Sequence, residues 1–122
     1  MSAIFKRHST EAIRWIYNAL NYIPENNFLD WRDDADFDYS SVGDYLTFDQ
    51  TEFAPGADFD SGDLEDKQEG RVYIPQQCYS DKTCRVHVVF HKAGKGPEYL
   101  AEQRGYNILG ALNDIIMLYP AT

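Results

Sequence analysis

The side chains best suited to chemistry lie between positions 72 and 120. His87 and His91 stand four residues apart in RVHVVFH, and on one extended strand their Cα atoms would lie about 13 Å apart. They cannot bind one metal ion together, so no metal site or other cofactor is predicted. No serine lies in a G-x-S-x-G pattern, the strand-to-helix turn that exposes a nucleophilic hydroxyl. The sequence therefore predicts no catalytic residues of a serine triad.

Cys78 and Cys84 are separated by YSDKT, a polar and turn-prone segment. One interpretation is a disulfide that closes a short loop between two strands, worth about 2 kcal/mol in the chain-entropy model. The alternative is a pair of free thiols, since sequence alone does not fix the redox state.

Other candidate residues favour structural interpretations. His87 lies in mid-strand and is predicted to be structural. Asp33 and Asp34 are predicted to lie on a solvated acidic face rather than to act as a glycosidase pair. Asp58 and Asp60 begin a D-x-D-x-G pattern, but its glycine comes one position too early for an EF-hand calcium loop.

The elements that must position these residues follow from periodicity. Apolar residues at helical spacing predict an N-terminal helix over 10–23, capped by Ser9 or Thr10 and ended by Pro24. Strands are predicted near 45–48, 71–74, 85–91 and 114–119, with a helix over 97–112 broken near Gly105. The strand over 85–91 is apolar on both faces near its middle, which is typical of a central strand in a covered sheet.

These elements predict the α/β fold class and one domain over 1–122, with a helix and acidic loop over 1–44 and a sheet region over 45–122. Strand, helix and strand over about 35 residues predict a right-handed βαβ unit. The net charge of −9 repels phosphate groups, so neither nucleic acid nor an anionic membrane is a predicted partner. The N-terminal segment lacks the apolar region of a secretory signal peptide.

Several segments together resemble extracellular poly(3-hydroxybutyrate) depolymerases and related esterases, which are circularly permuted α/β-hydrolases. CRVHVVFH is the most specific of them. The others are IYNALNYI (16–23), FDQTEF (48–53), VYIPQQC (72–78), GYN (105–107) and NDIIMLYP (113–120). In that family the serine, aspartate and histidine of the triad precede the oxyanion strand. The resemblance therefore implies the later, oxyanion-loop portion of a partial α/β-hydrolase sheet.

The resemblance also assigns roles to individual residues. His91 matches the histidine that opens the family's oxyanion loop, although a capped structural histidine is an equally good interpretation. Lys92 follows it, where the family has a glycine that allows the backbone to turn closely. Cys78 and Cys84 match the family's short disulfide loop.

We therefore expect a partial relative of a polyester-hydrolysing serine esterase that is inactive alone, because the triad-bearing portion is absent. The resemblance implies a polyester or small-ester ligand, an extracellular location, and a complementary hydrolase half or a homo-oligomer as partner. One alternative is a non-catalytic binding or self-associating protein, because an isolated hydrolase half exposes sheet edges. The other is an acidic α/β domain that shares only a common strand-helix-strand.

Overall fold

The computed structural model describes residues 3–29, 38–50, 69–80, 82–90 and 99–120. Two α-helices, four strands and several short turns form in these ranges. In chain order the helices and strands are α1 (Ala3–Ala19), β1 (Gly43–Asp49), β2 (Glu69–Pro75), β3 (Arg85–Val88), α2 (Tyr106–Asn113) and β4 (Ile115–Tyr119). A π-helical turn, Tyr99–Gln103, precedes α2.

The four strands form one mixed sheet in the order β1-β2-β4-β3. β2 is antiparallel to both β1 and β4, whereas β3 and β4 are parallel neighbours. The predicted strand-helix-strand unit is thus confirmed, since α2 lies between β3 and β4 in the chain. A mixed sheet with helices agrees with a partial α/β fold.

One face of the sheet is covered and carries the core. The register aligns Tyr45, Tyr73, Met117 and His87 in a row across the four strands. Tyr73 and Met117, in the two central strands, are fully buried. Ile13 and Leu109, from α1 and α2, pack in the same cluster. We call this side of the sheet the inner face.

The first helix begins earlier than predicted. α1 starts at Ala3, so Thr10 lies inside the helix and is buried instead of capping its start. The helix ends at Ala19 and not at Pro24, because Asn21 has a positive φ of 59°, a left-handed conformation that stops helical propagation. Within α1, Ile13 of the apolar pattern is buried, whereas Ile16 of the same pattern is 37% exposed. The buried stripe of α1 is therefore narrower than the periodicity suggests.

The predicted break near Gly105 is confirmed. Gly105 has a φ of 79° and precedes the first residue of α2, a conformation that glycine adopts without a Cβ penalty. Gly110 lies inside α2 against β4, where an added Cβ would stand 2.6 Å from the carbonyl oxygen of Ile115. α2 therefore packs on the sheet at a distance that only glycine permits at this position.

The prediction that β3 is a central, covered strand is wrong for the described residues. β3 ends at Val88 and lies at one edge of the four-stranded sheet. Val86 is 55% exposed and Phe90 is 72% exposed. The physical reason is that the pattern encodes burial on both sides, whereas the described elements cover only the inner face.

The opposite side of the sheet, the outer face, is apolar and partly exposed. Leu46, Val72, Leu118 and Val88 form a second row across the four strands. Leu46 and Val88, at the two edges of this row, are each 45% exposed. Alternation of side chains along each strand separates this row from the buried one.

Two acidic segments of the sequence, over 24–44 and 54–70, have the composition of loops, and the structure describes only part of each. Phe28 is buried as one aromatic anchor of the first loop. The candidate residues Asp33, Asp34, Asp58 and Asp60 lie outside the described residues, as do the aromatic residues Trp31 and Phe37.

Candidate active-site edge of the sheet

The parallel pairing of β3 and β4 defines where a site can form. Their carboxyl ends lie at the same edge of the sheet, with Val88 beside Leu118 in the register. The chain continues in extended form to Val89, whose amide donates to the Leu118 carbonyl oxygen over 2.7 Å. Phe90 comes next in the chain, and His91 and Lys92 after it lie outside the described residues. The structure therefore fixes where the predicted oxyanion loop is attached and not its geometry.

His87 lies on the inner face between α1 and α2. Its ring stacks on Tyr17 with a centroid distance of 5.7 Å and meets Tyr106 edge-on at 6.4 Å. Its Nδ1 atom is 3.2 Å from the Tyr17 hydroxyl oxygen. These contacts join three segments that are distant in sequence, which agrees with the predicted structural role of His87.

Both groups of this pair are neutral at physiological pH. Burial lowers the pKa of His87 below its usual value. Burial also raises the pKa of Tyr17 to about 12, with the nearby Arg85 acting in the opposite direction. Because Tyr17 keeps its proton, its hydroxyl donates to Nδ1 when that nitrogen is unprotonated. The pair holds α1 on β3.

A second polar contact couples α2 to β4. The Tyr119 hydroxyl donates to Asn107 Oδ1 over 2.5 Å, and both residues are fully buried. The Asn107 Nδ2 atom is also buried and has no hydrogen-bond partner. Nearby, burial and the neighbouring Glu102 raise the pKa of Tyr39 to about 12, and Asn107 acts in the opposite direction. A buried hydrogen bond thus links the GYN segment (105–107) to the LYP segment (118–120) in the core.

The two cysteines form the predicted disulfide, with Cα atoms 5.8 Å apart. The bond closes the connection between the end of β2 and the start of β3, which lies at the amino edge of β3 and β4. Gln77, within this connection, donates from Nε2 to the Ala111 carbonyl oxygen and to Asp114 Oδ1. The disulfide loop is therefore fixed at the sheet edge opposite to the one where β3 and β4 end.

The serine side chains that the structure describes are all engaged locally. Ser40 Oγ donates to the Asp38 carboxylate, Ser41 Oγ to the Asp38 carbonyl oxygen, and Ser80 Oγ to the Gln77 carbonyl oxygen. None of the three is placed beside His87, whose ring contacts are tyrosines. Across the described ranges, no group of three metal-ligating side chains converges. No helix there is long and apolar enough to cross a bilayer.

Solved structures share this arrangement of strands and helices. The structure of a PHB depolymerase from Penicillium funiculosum superposes with a TM-score of 0.61 and 24% identity, over 93% of this chain and 31% of that one. A PHB depolymerase complexed with R3HB trimer superposes with a TM-score of 0.51 and 26% identity, over 66% of this chain and 25% of that one. No protein-family model matches the chain.

A comparison of sequences also finds a similar depolymerase. A poly(3-hydroxybutyrate) depolymerase of Delftia acidovorans is 33% identical over 87 residues, which is 66% of this chain and 16% of that protein. Over part of its length, this chain is related to poly(3-hydroxybutyrate) depolymerases. It spans under a third of the depolymerase structures described above. The resemblance read from the motifs is confirmed at that level.

Sequence reasoning missed the side-chain pairs that hold the depolymerase-like unit together. Tyr119 and Asn107 were seen as parts of motifs, without any expectation that they bond to each other. Tyr17 lies in the apolar pattern that predicts the helix over 10–23, but its contact with His87 spans 70 positions. The aromatic and amide residues in the motifs are the only signal that could have indicated such pairs.

Proposed function

We propose that this chain forms the oxyanion-loop side of a polyester-hydrolysing serine esterase and does not hydrolyse esters by itself. The parallel alignment of β3 and β4 carries this proposal. Both strands end at one edge of the sheet, and Phe90, the residue before His91 in the chain, follows the end of β3 there. The relation to poly(3-hydroxybutyrate) depolymerases supplies the reaction class.

Acyl transfer by a serine esterase needs an oxyanion hole as well as a nucleophile with its base. An oxyanion hole needs backbone N–H groups directed at the charge that develops on the carbonyl oxygen. In this proposal the segment that begins at His91 and Lys92 supplies such groups. The proposal assigns the nucleophile and its base to another polypeptide. Among the described residues, the serine hydroxyls bond within their own turns and His87 pairs with Tyr17, which supports this assignment. An oxyanion hole without an attacking hydroxyl forms no acyl-enzyme.

The proposed ligand is an oligomer of 3-hydroxybutyrate or a related short ester. One depolymerase of the same fold was solved in complex with R3HB trimer. The disulfide between Cys78 and Cys84 is consistent with an oxidising, extracellular location. We include that location in the proposal.

The test is ester hydrolysis by the purified chain combined with labelling by an organophosphate. We expect no turnover of p-nitrophenyl butyrate above background and no phosphorylated serine in the intact mass spectrum. As a positive control, an active serine esterase is treated in parallel. Turnover that is lost when one labelled serine is replaced by alanine would show that the chain contains its own nucleophile.

A second candidate is a non-catalytic, self-associating protein. The exposed valines and Phe90 on and after β3 favour it, since an uncovered sheet edge is a template for pairing. Size-exclusion chromatography with light scattering separates the candidates. A dimer that persists at micromolar concentration supports self-association, and a monomer contradicts it.

A further inference from the structure

We propose that the open edge of β3 and the adjoining outer face bind a polypeptide that contains the remaining part of an α/β-hydrolase, which adds a strand beside β3. This inference rests on the proposed function, whose missing partner it identifies. The surface consists of Val86, Val88 and Phe90 at the edge, with Leu118 and Val72 beside them on the outer face.

Some backbone amides of β3 point away from β4, where they can pair with an added strand. The amides of Arg85 and Val89 donate to carbonyl oxygens at 114 and 118, on the β4 side. Because hydrogen-bonding direction alternates along a strand, the amides of Val86 and Val88 face away from β4. Among the described strands none lies on that side. The same two valines also direct their side chains to the outer face, so one added element would cover both.

The conflict between the sequence and the sheet indicates that something covers β3. RVHVVFH has the pattern of a strand that is buried on both faces, yet Val86 and Val88 are 55% and 45% exposed. Natural sequences are locally consistent with their final environment. The row from Leu46 to Val88 continues this apolar surface across all four strands.

The size of the related structures identifies the occupant. The Penicillium funiculosum depolymerase matches 93% of this chain with 31% of its own, so more than two thirds of that fold lies outside the shared unit. A second copy of this chain fits the surface less well. Each copy carries a net charge of −9, and charge of one sign opposes association of identical chains.

The test co-expresses this chain with the Penicillium funiculosum depolymerase from which the segment equivalent to this chain has been deleted. Co-expression allows a probe that cannot fold alone to assemble on its partner. We expect a one-to-one complex in which hydrogen exchange at the Val86 and Val88 amides slows about tenfold or more. Recovery of this chain free of the probe, or exchange at these amides unchanged in the complex, would overturn the proposal.

Two matched variants locate the contact. Val88→Lys and Leu46→Lys introduce the same charge at sites that are each 45% exposed, in one row but at opposite edges about 14 Å apart. We expect Val88→Lys to weaken the complex about tenfold and Leu46→Lys to stay within about threefold of the unsubstituted chain. Equal effects of the two variants would contradict pairing at β3.

The possible outcomes distinguish failure of this docking inference from failure of the proposed function. A homodimer that protects Val86 and Val88 in place of the complex would overturn the proposed occupant. Serine-dependent ester hydrolysis by the chain alone would overturn the proposed function, whatever the binding result. If the chain alone is inactive and no complex forms, only the docking inference fails.

Discussion

The hydrogen bond between Tyr119 and Asn107 provides the sharpest test of how the core is held together. Tyr119→Phe removes the hydroxyl that donates to Asn107 Oδ1 and leaves the shape of the ring almost unchanged. Asn107 is fully buried, and its Nδ2 atom already has no hydrogen-bond partner. The substitution would therefore leave both polar atoms of the amide unsatisfied, which costs about 1–3 kcal/mol.

A double-mutant cycle separates this cost from general damage to the core. Asn107→Leu leaves the buried Tyr119 hydroxyl unpaired, so it too should lower the free energy of unfolding by about 1–3 kcal/mol. The double variant leaves neither group unpaired, and we expect it to be more stable than the sum of the single effects predicts, by about 2 kcal/mol. Urea unfolding followed by circular dichroism measures all four proteins, with a constant slope against urea as the check on two-state behaviour.

Tyr79→Phe is the matched control. Its hydroxyl donates to Asp44 over 2.7 Å, but the residue is 57% exposed, so water replaces the lost partner and the cost should be below about 1 kcal/mol. Additive effects of Tyr119→Phe and Asn107→Leu, or a Tyr119→Phe variant as stable as the unsubstituted chain, would refute the argument.

Three further outcomes are expected. Gly110→Ala should destabilise the chain by about 2 kcal/mol in urea unfolding, because the new Cβ would meet the Ile115 carbonyl oxygen at 2.6 Å. Helix propensity alone predicts the opposite, a gain of about 1 kcal/mol. A more stable variant would therefore contradict this packing. Reduction of the bond between Cys78 and Cys84 should lower the free energy of unfolding by about 2 kcal/mol, and an unchanged urea midpoint with dithiothreitol would show that the loop is held without it. Burial lowers the pKa of His87, so the unfolded chain binds a proton first as the pH falls below about 6.5, and stability should decrease from there toward the lower folded pKa. A His87→Gln variant should lose this part of the pH dependence, and an identical slope in both proteins would count against it.

The sequence predicted the parts of the fold that depend on local chemistry. The break at Gly105 follows from glycine's access to positive φ. The strands at 71–74 and 114–119 follow from β-branched and aromatic residues bounded by turns. The predicted start of α1 was wrong because Thr10 has the side chain of a helix cap. Residues 3–9 include no helix breaker, so the helix continues through them to Ala3.

The remaining features depend on contacts between distant segments. Periodicity shows that β3 suits burial on both faces, but not which neighbours are present to cover it. The Tyr17–His87 and Tyr119–Asn107 contacts depend on the register that brings α1 and α2 over the sheet. Of the candidate site, sequence indicated the cysteine pair, whereas the side-chain partners of His87 required coordinates. His91 and Lys92 lie outside the described residues, so their roles stay predictions.

The strand order has a consequence for synthesis of the chain. β4 lies between β2 and β3 although it follows both in sequence, and the Cys78–Cys84 bond closes the connection that links those two flanking strands. On a ribosome, the middle of the sheet stays vacant until residue 119 has emerged. Until then β2 and β3 lack their common neighbour, so their apolar side chains stay exposed to chaperones or to wrong partners.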